Sequence, residues 1–179
     1  MFKVGRHDFK IVRTEFRARI VISESGWSPS YFLQIECEPL ETEGCIWEAK
    51  LSTQADLILP SPSQLAGSKF GPLTDDEWGE PVFLLYMFSH EPIYHPRIEF
   101  SKAARNEFYF ELTGTTPNWD ETIDTETVSI KIKCTLPFSG VTVDEPDVNK
   151  ARKIINQSFR NTEWQEPELN RNGHLFKLR

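Results

Sequence analysis

Residues able to do chemistry fall into three groups in this chain. The first is a pair of carboxylate clusters. One is Asp75, Asp76, Glu77 and Glu80 around Trp78, and the other is Asp120, Glu121, Asp124 and Glu126 after Trp119. Clustered carboxylates can ligate Ca²⁺ or supply the acid and base of a glycosidase. Neither cluster has the alternating acids, central Gly and terminal Glu of an EF-hand loop. Both therefore read as solvated acidic turns, and no metal is expected. With Trp78 and Trp119 as aromatic anchors, these same residues are the candidate partner-binding set.

The second group is His90-Glu91-Pro92-Ile93-Tyr94-His95. A zinc-protease helix needs its two histidines four apart, whereas these are five apart and Pro92 breaks the helix between them. They read as loop histidines at a strand end. The third group is Cys37, Cys45 and Cys134, which cannot make a complete disulfide framework. Cys37 and Cys134 lie on apolar faces of alternating runs and are expected as buried thiols. Cys45 follows Gly44 with no activating neighbour. No phosphate loop, Gly-x-Ser-x-Gly elbow, Cys-x-x-Cys pair or dinucleotide fingerprint occurs. No catalytic residue and no cofactor is assigned.

Charge is more informative. The net charge is −7, but residues 1–20 carry six basic groups against two acidic, and residues 150–179 carry seven against three. Residues 21–149 carry seven basic groups against twenty-two acidic. Such an acidic body disfavours nucleic acid, which needs a basic surface. It suits a basic protein partner, whose approach it would steer. The other outcome is that the basic ends fold back on the acidic middle.

The elements that must position these groups are mostly strands. Phe108, Phe110 and Leu112 alternate with Tyr109, Glu111 and Thr113; Val128, Ile130, Ile132 and Cys134 alternate with Ser129, Lys131 and Lys133. Period two with β-branched residues marks half-buried strands, and these two should pair antiparallel across the Thr115–Glu126 turn. Phe16 to Ile22, Tyr31 to Cys37 and Cys45 to Leu51 alternate likewise and read as a meander, with a turn at 24–30. Val82 to Phe88 is continuously apolar and predicts a central strand buried on both faces. Arg97–Phe100 reads as a short strand. Gly140, after Pro137, marks a turn. A helix over 144–160 follows, with Asp144 as N-cap, Val143 and Val148 as a hydrophobic staple, and Val148, Ala151, Ile155 and Phe159 as its apolar stripe.

The expected architecture is therefore mainly β: an antiparallel β-sandwich or strongly curved sheet with one C-terminal α-helix packed on it, α+β by strict count. Residues 1–179 read as one domain, 54–81 as an irregular insertion or long loop, and 161–173 as a surface loop. No apolar run is long enough for a membrane span. The stretch Met1–His7 lacks a secretory apolar core, which predicts a cytoplasmic location.

The run Phe108-Tyr-Phe-Glu-Leu-Thr-Gly, then Asn118-Trp-Asp-Glu, then Val128-Ser-Ile-Lys-Ile resembles a pattern in small uncharacterised bacterial β proteins. Some of these resemble the immunity partners of polymorphic toxins. The resemblance is confined to this run and carries no functional residue over. It implies an acidic cytosolic protein that binds and blocks a toxin domain. Three readings stand: a non-enzymatic binding protein with an acidic surface for a basic protein, a small-ligand or carbohydrate-binding β-sandwich, and an enzyme with a site assembled from distant residues such as His90 or His95.

Overall fold

The alternating runs become strands whose apolar side faces a single core. The computed structural model describes residues 1–23, 26–42, 44–53, 57, 59–73, 80–87, 89–104, 106–120, 124–160 and 162–179, with only the backbone of 21–23. In chain order the strands are β1 (Phe2–Val4), β2 (His7–Phe9), β3 (Ile11–Ser23), β4 (Gly26–Cys37), β5 (Leu40–Thr42), β6 (Cys45–Trp47) and β7 (Lys50–Thr53). A single helical turn α1 (Pro62–Leu65) precedes β8 (Lys69–Phe70), β9 (Phe83–Tyr86), β10 (His90–Pro92), β11 (Tyr94–Ala104), β12 (Glu107–Pro117) and β13 (Thr127–Val143). Helix α2 (Val148–Ser158), β14 (Glu168–Asn170) and β15 (Gly173–Phe176) complete the chain.

The strands form two facing layers. One layer contains β1, β2, β8, β11, β12 and the first part of β13, and the other contains β3, β4, β7, β9, β10, β14, β15 and the last part of β13. Their inner faces meet through aromatic rings. Phe16 of β3 stacks on Tyr31 at 5.8 Å within its own layer and on Phe100 of the other at 5.5 Å, and meets Phe108 edge-on at 6.0 Å. This is face-to-face sheet packing over an aromatic core. Among the described residues the ladder runs open from β10 to β8. The ladders are antiparallel except between β3 and β13, so the sheet is mixed. No described helix is long and apolar enough to cross a membrane.

Strand β13 joins the layers. Residues Thr127–Pro137 pair with β12, after which Phe138 and Val141 pair in parallel with Phe16 and Ala18, and Val141 pairs with Phe176. The expected turn after Pro137 is therefore a change of partners within one strand. Pro has no N–H for a ladder, and a bulge sits between Phe138 and Val141. Gly140 has φ +123, and a Cβ there would stand 2.4 Å from the Phe176 carbonyl oxygen. Only Gly fits.

Other expectations shift in detail. Gly26–Ser30 belongs to β4, pairing with residues 19–23, so the predicted turn at 24–30 is shorter than expected. The third run splits, because Cys45–Trp47 folds back on Leu40–Thr42 as a separate hairpin before β7 begins. The Arg97–Phe100 strand extends to Tyr94–Ala104, since β12 pairs along most of it. The Val82–Phe88 run yields β9, next to the edge strand β10. Phe83 and Leu85 are buried but Tyr86 is exposed, so only one face is covered.

Helix α2 starts at Val148, not Asp144. Asp147 is its N-cap, accepting from Asn149 N–H at 2.8 Å and Lys150 N–H at 3.2 Å. Asp144 lies outside the helix, whereas Asp147 has the extended backbone of a cap, so the expected Val143–Val148 staple does not frame it. Ala151, Ile154 and Ile155 are buried, and Phe159 reaches Tyr31. The predicted loop over 161–173 contains β14, which forms a hairpin with β15. His174, at the start of β15, is buried and its Nδ1 lies 2.8 Å from the Glu145 carbonyl. A carbonyl only accepts, so that nitrogen carries the proton.

Candidate functional site

Two regions hold side chains placed to recognise a partner. The first lies where hairpin β1–β2, hairpin β5–β6 and the turn after β12 meet. The β1–β2 turn pairs Val4 with His7, so Gly5 and Arg6 form the tip. Gly5 N–H donates to the Ser129 carbonyl at 2.8 Å, fastening the hairpin to β13. His7 then packs against two indoles, 5.2 Å from the Trp47 ring and 5.1 Å from the Trp119 ring. The two indoles themselves meet at 3.7 Å and 66°. His7 Nε2 lies 2.9 Å from Asp120 Oδ2, and Arg6 Nε lies 3.0 Å from the same oxygen. A carboxylate only accepts, so Nε2 carries the proton. A nitrogen that donates to Asp120 has no lone pair left for Arg6 Nε, 3.4 Å away.

The turn itself is closed by Asn118. Its Nδ2 donates to the Asp120 and Thr125 carbonyls at 3.2 and 2.9 Å, its Oδ1 accepts from Asp120 N–H at 3.0 Å, and its N–H donates to the Glu126 carbonyl at 2.9 Å. An Asn side chain bonding backbone two residues on is the usual mechanism of such turns.

This arrangement corrects the expectation of a solvated turn at Asp120. Its side chain is only 6% exposed, because the Arg6 guanidinium and the His7 ring N–H of the N-terminal hairpin face it. Trp119 is half-buried against the core, and its indole N–H finds no hydrogen-bond partner among the described residues. Glu80, Asp124 and Glu126 are exposed. Asp75, Asp76, Glu77, Trp78 and Glu121 lie outside the described residues. Exposed Asp8 on β2 and Glu41 on β5 stand on the segments that meet here. Among the described residues, Asp8, Glu41, Asp124 and Glu126 form no ion pair. The basic N-terminal strand, by contrast, does fold onto acids: Lys10 meets Glu38 at 2.8 Å, Arg17 meets Glu15 at 2.8 Å, and Arg19 approaches Asp144 at 3.9 Å.

The second region is the outer face of the β3–β4–β7–β9–β10 layer. Register puts His90, Tyr86, Lys50, Glu36 and Arg13 in one row across five strands. The adjoining row holds Pro92, Leu84, Ser52, Gln34 and Glu15. A groove of about 670 Å³ lies on this face, lined among others by His90, Tyr86, Lys50, Glu36, Gln34 and Phe32. Glu36 lies 3.4 Å from Lys50 and 3.7 Å from Arg13, and Gln34 donates to it.

The outer face of the other layer is charge-matched in pairs. Glu111 sits between Lys131 at 3.5 Å and Lys133 at 2.6 Å, and Lys69 meets Glu99 at 2.9 Å. The hydrogen bond from Lys133 holds the Glu111 carboxyl below the usual carboxylate range. Burial pushes the Cys37 and Cys134 thiols up to about 12, so neither is a thiolate nucleophile near neutrality. His90 and His95 are both exposed, but on different strands, β10 and β11; His95 has φ +50 at the irregularity in β11. Among the described residues no group of three His, Cys, Asp or Glu is placed to hold a metal ion.

Sequence reasoning named Trp119, Asp120, Asp124 and Glu126 but missed Arg6, His7 and Trp47. Asp120 and His7 are 113 residues apart, and no spacing rule links them. Phe32 was legible: it is an aromatic on the polar side of an alternating run, beside Gln34 and Glu36. No protein-family model, no curated protein and no solved structure matches this chain.

Proposed function

We propose that this chain is a non-enzymatic binding protein that offers its acidic end to a basic protein partner. The observation that carries this reading is the set of exposed carboxylates Asp8, Glu41, Asp124 and Glu126, unpaired among the described residues and standing on three segments that His7 gathers against Trp47 and Trp119. Each segment is fixed by backbone hydrogen bonds or by the Asn118 turn, so little ordering would accompany docking. Unmatched carboxylates attract a basic surface and speed its approach. The resemblance in residues 108–132 makes a toxin domain the first basic partner to try.

The test compares two immobilised proteins, the natural chain and Asp8→Lys/Glu41→Lys/Asp124→Lys/Glu126→Lys. The expected result is one stoichiometric basic protein held by the natural chain at low salt and released at moderate salt. The variant should lose it while keeping its melting temperature. Equal capture by both, or capture by neither, would overturn the reading.

A further inference from the structure

We propose a second binding site, independent of the acidic end, in the groove on the outer face of β4, β7, β9 and β10. Its ligand is a neutral oligosaccharide.

The groove is lined by Glu36 and Glu48 against Lys50, with Arg13 beside Glu36. Two negative and two positive groups leave its formal charge near zero. Glu36 is already engaged by Lys50, Arg13 and Gln34. A charge brought to Glu36 or Lys50 would have to displace an existing pair, whereas a neutral ligand would not. A face with its charges near balance does little to attract the basic partner proposed for the acidic end.

The chemistry of the lining narrows the class further. Tyr86 is 36% exposed on its strand, and the His90 ring stands 5.2 Å from it at 57°, making an angled aromatic wall. At the other end lies half-buried Phe32, one face of its ring covered by the Arg17 guanidinium 4.8 Å from the ring centre. Between the walls lie an amide, a hydroxyl, a carboxylate and an ammonium, from Gln34, Ser52, Glu36 and Lys50. Together these donate and accept, as hydroxyl groups require. Aromatic faces flanking a mixed donor and acceptor floor suit a ligand with apolar C–H faces and a hydroxyl rim. A saccharide has both.

Length follows from register. Phe32 lies four residues along β4 from Glu36, and Tyr86 lies two strands across from Glu36. With about 3.3 Å per residue and 4.8 Å per strand, the two aromatics are roughly 16 Å apart. One sugar ring cannot reach both, but a short oligomer can. The volume falls in the range of small-molecule sites. Strands carry every lining side chain named here except Glu48, so the site is formed before the ligand arrives.

The test is calorimetric titration of the full chain with cellotetraose, maltotetraose, mannotetraose and chitotetraose. At least one should bind, with an affinity insensitive to salt. Tyr86→Ala and Phe32→Ala should each weaken that binding about tenfold, while Tyr86→Phe, which keeps the ring, should stay within about twofold. The lysine variant of the acidic end should bind the sugar as the natural chain does, so failure of one proposal is separable from failure of the other. No binding by any of the four sugars, or binding that ignores Tyr86→Ala, would overturn the site.

Discussion

Asp120 and Glu36 are a natural pair for comparison. Each carboxylate faces two nitrogen donors, the Arg6 guanidinium and the His7 ring N–H for the one, Arg13 and Lys50 for the other. Asp120 is 6% exposed, with contacts at 2.9 and 3.0 Å; Glu36 is 29% exposed, with contacts at 3.4 and 3.7 Å. The first arrangement closes on itself: two indoles pack against His7, and both His7 and Asp120 are largely withdrawn from water. The second stays open to water, so its partners can be rearranged or shared. A cluster of charge and aromatic residues is thus not a binding site by composition. What decides is whether the groups are consumed in joining segments or left facing solvent.

The largest expected effect is on the closed cluster. Asp120→Ala removes the acceptor for the His7 Nε2 proton in a site from which water is largely excluded. A buried donor left without its partner costs about 1–3 kcal/mol. Arg6 is half exposed and can turn to water, so His7 bears most of the loss. Thermal and urea unfolding should show the drop, and amide exchange should rise in residues 124–126 and in β1–β2. A stability unchanged within about 0.3 kcal/mol would mean that the indole packing alone holds the three segments.

Glu36→Ala should do much less. Partly exposed ion pairs contribute about 0.2–1 kcal/mol, because water solvates the separated charges nearly as well. The expected change lies in that range and shrinks further at high salt, since exposed pairs are screened. A loss as large as that of Asp120→Ala would erase the distinction between the two regions. It would also mean that the charge row across β3, β4 and β7 is a fixed structural element, not an open floor.

The legible part of the molecule was what neighbours along the chain determine. The alternations at Phe108–Leu112 and Val128–Cys134 gave β12 and the first part of β13, and their antiparallel pairing, because period two is written locally. The apolar stripe of α2 was legible for the same reason. Its start was misplaced because Asp144 and Asp147 both have capping chemistry, and only the folded backbone, extended at Asp147 and helical from Val148, selects Asp147. Strand β14 was missed although Asn172-Gly173 carries the hairpin signal. Three things lay beyond local reading. Gly140 looks like a turn because a glycine for partner change and a glycine for chain reversal are the same residue. The pairing of β13 with β3 joins segments over a hundred residues apart. The burial of Asp120 depends on where the β1–β2 tip lands, and an acidic turn with and without such a visitor has one sequence.

Asp147 offers the smallest and most directional test, since it is the exposed counterpart of Asp120: a carboxylate held by N–H donors at the surface. Hydrogen bonds from the Lys150 and Asn149 amides hold its carboxyl below the usual range. Its folded value is depressed, so the ionised form is the one the fold favours. The stabilisation is therefore complete above the unfolded value near 3.9 and is lost as pH falls through the lower folded value. Melting curves of the natural chain and Asp147→Ala should differ by a constant amount from pH 7 to about 5, then converge below about 4. The positive end of α2 makes the charge, and not only the oxygen, part of the cap. A gap that persists unchanged to pH 2 would show that the oxygen alone caps the helix.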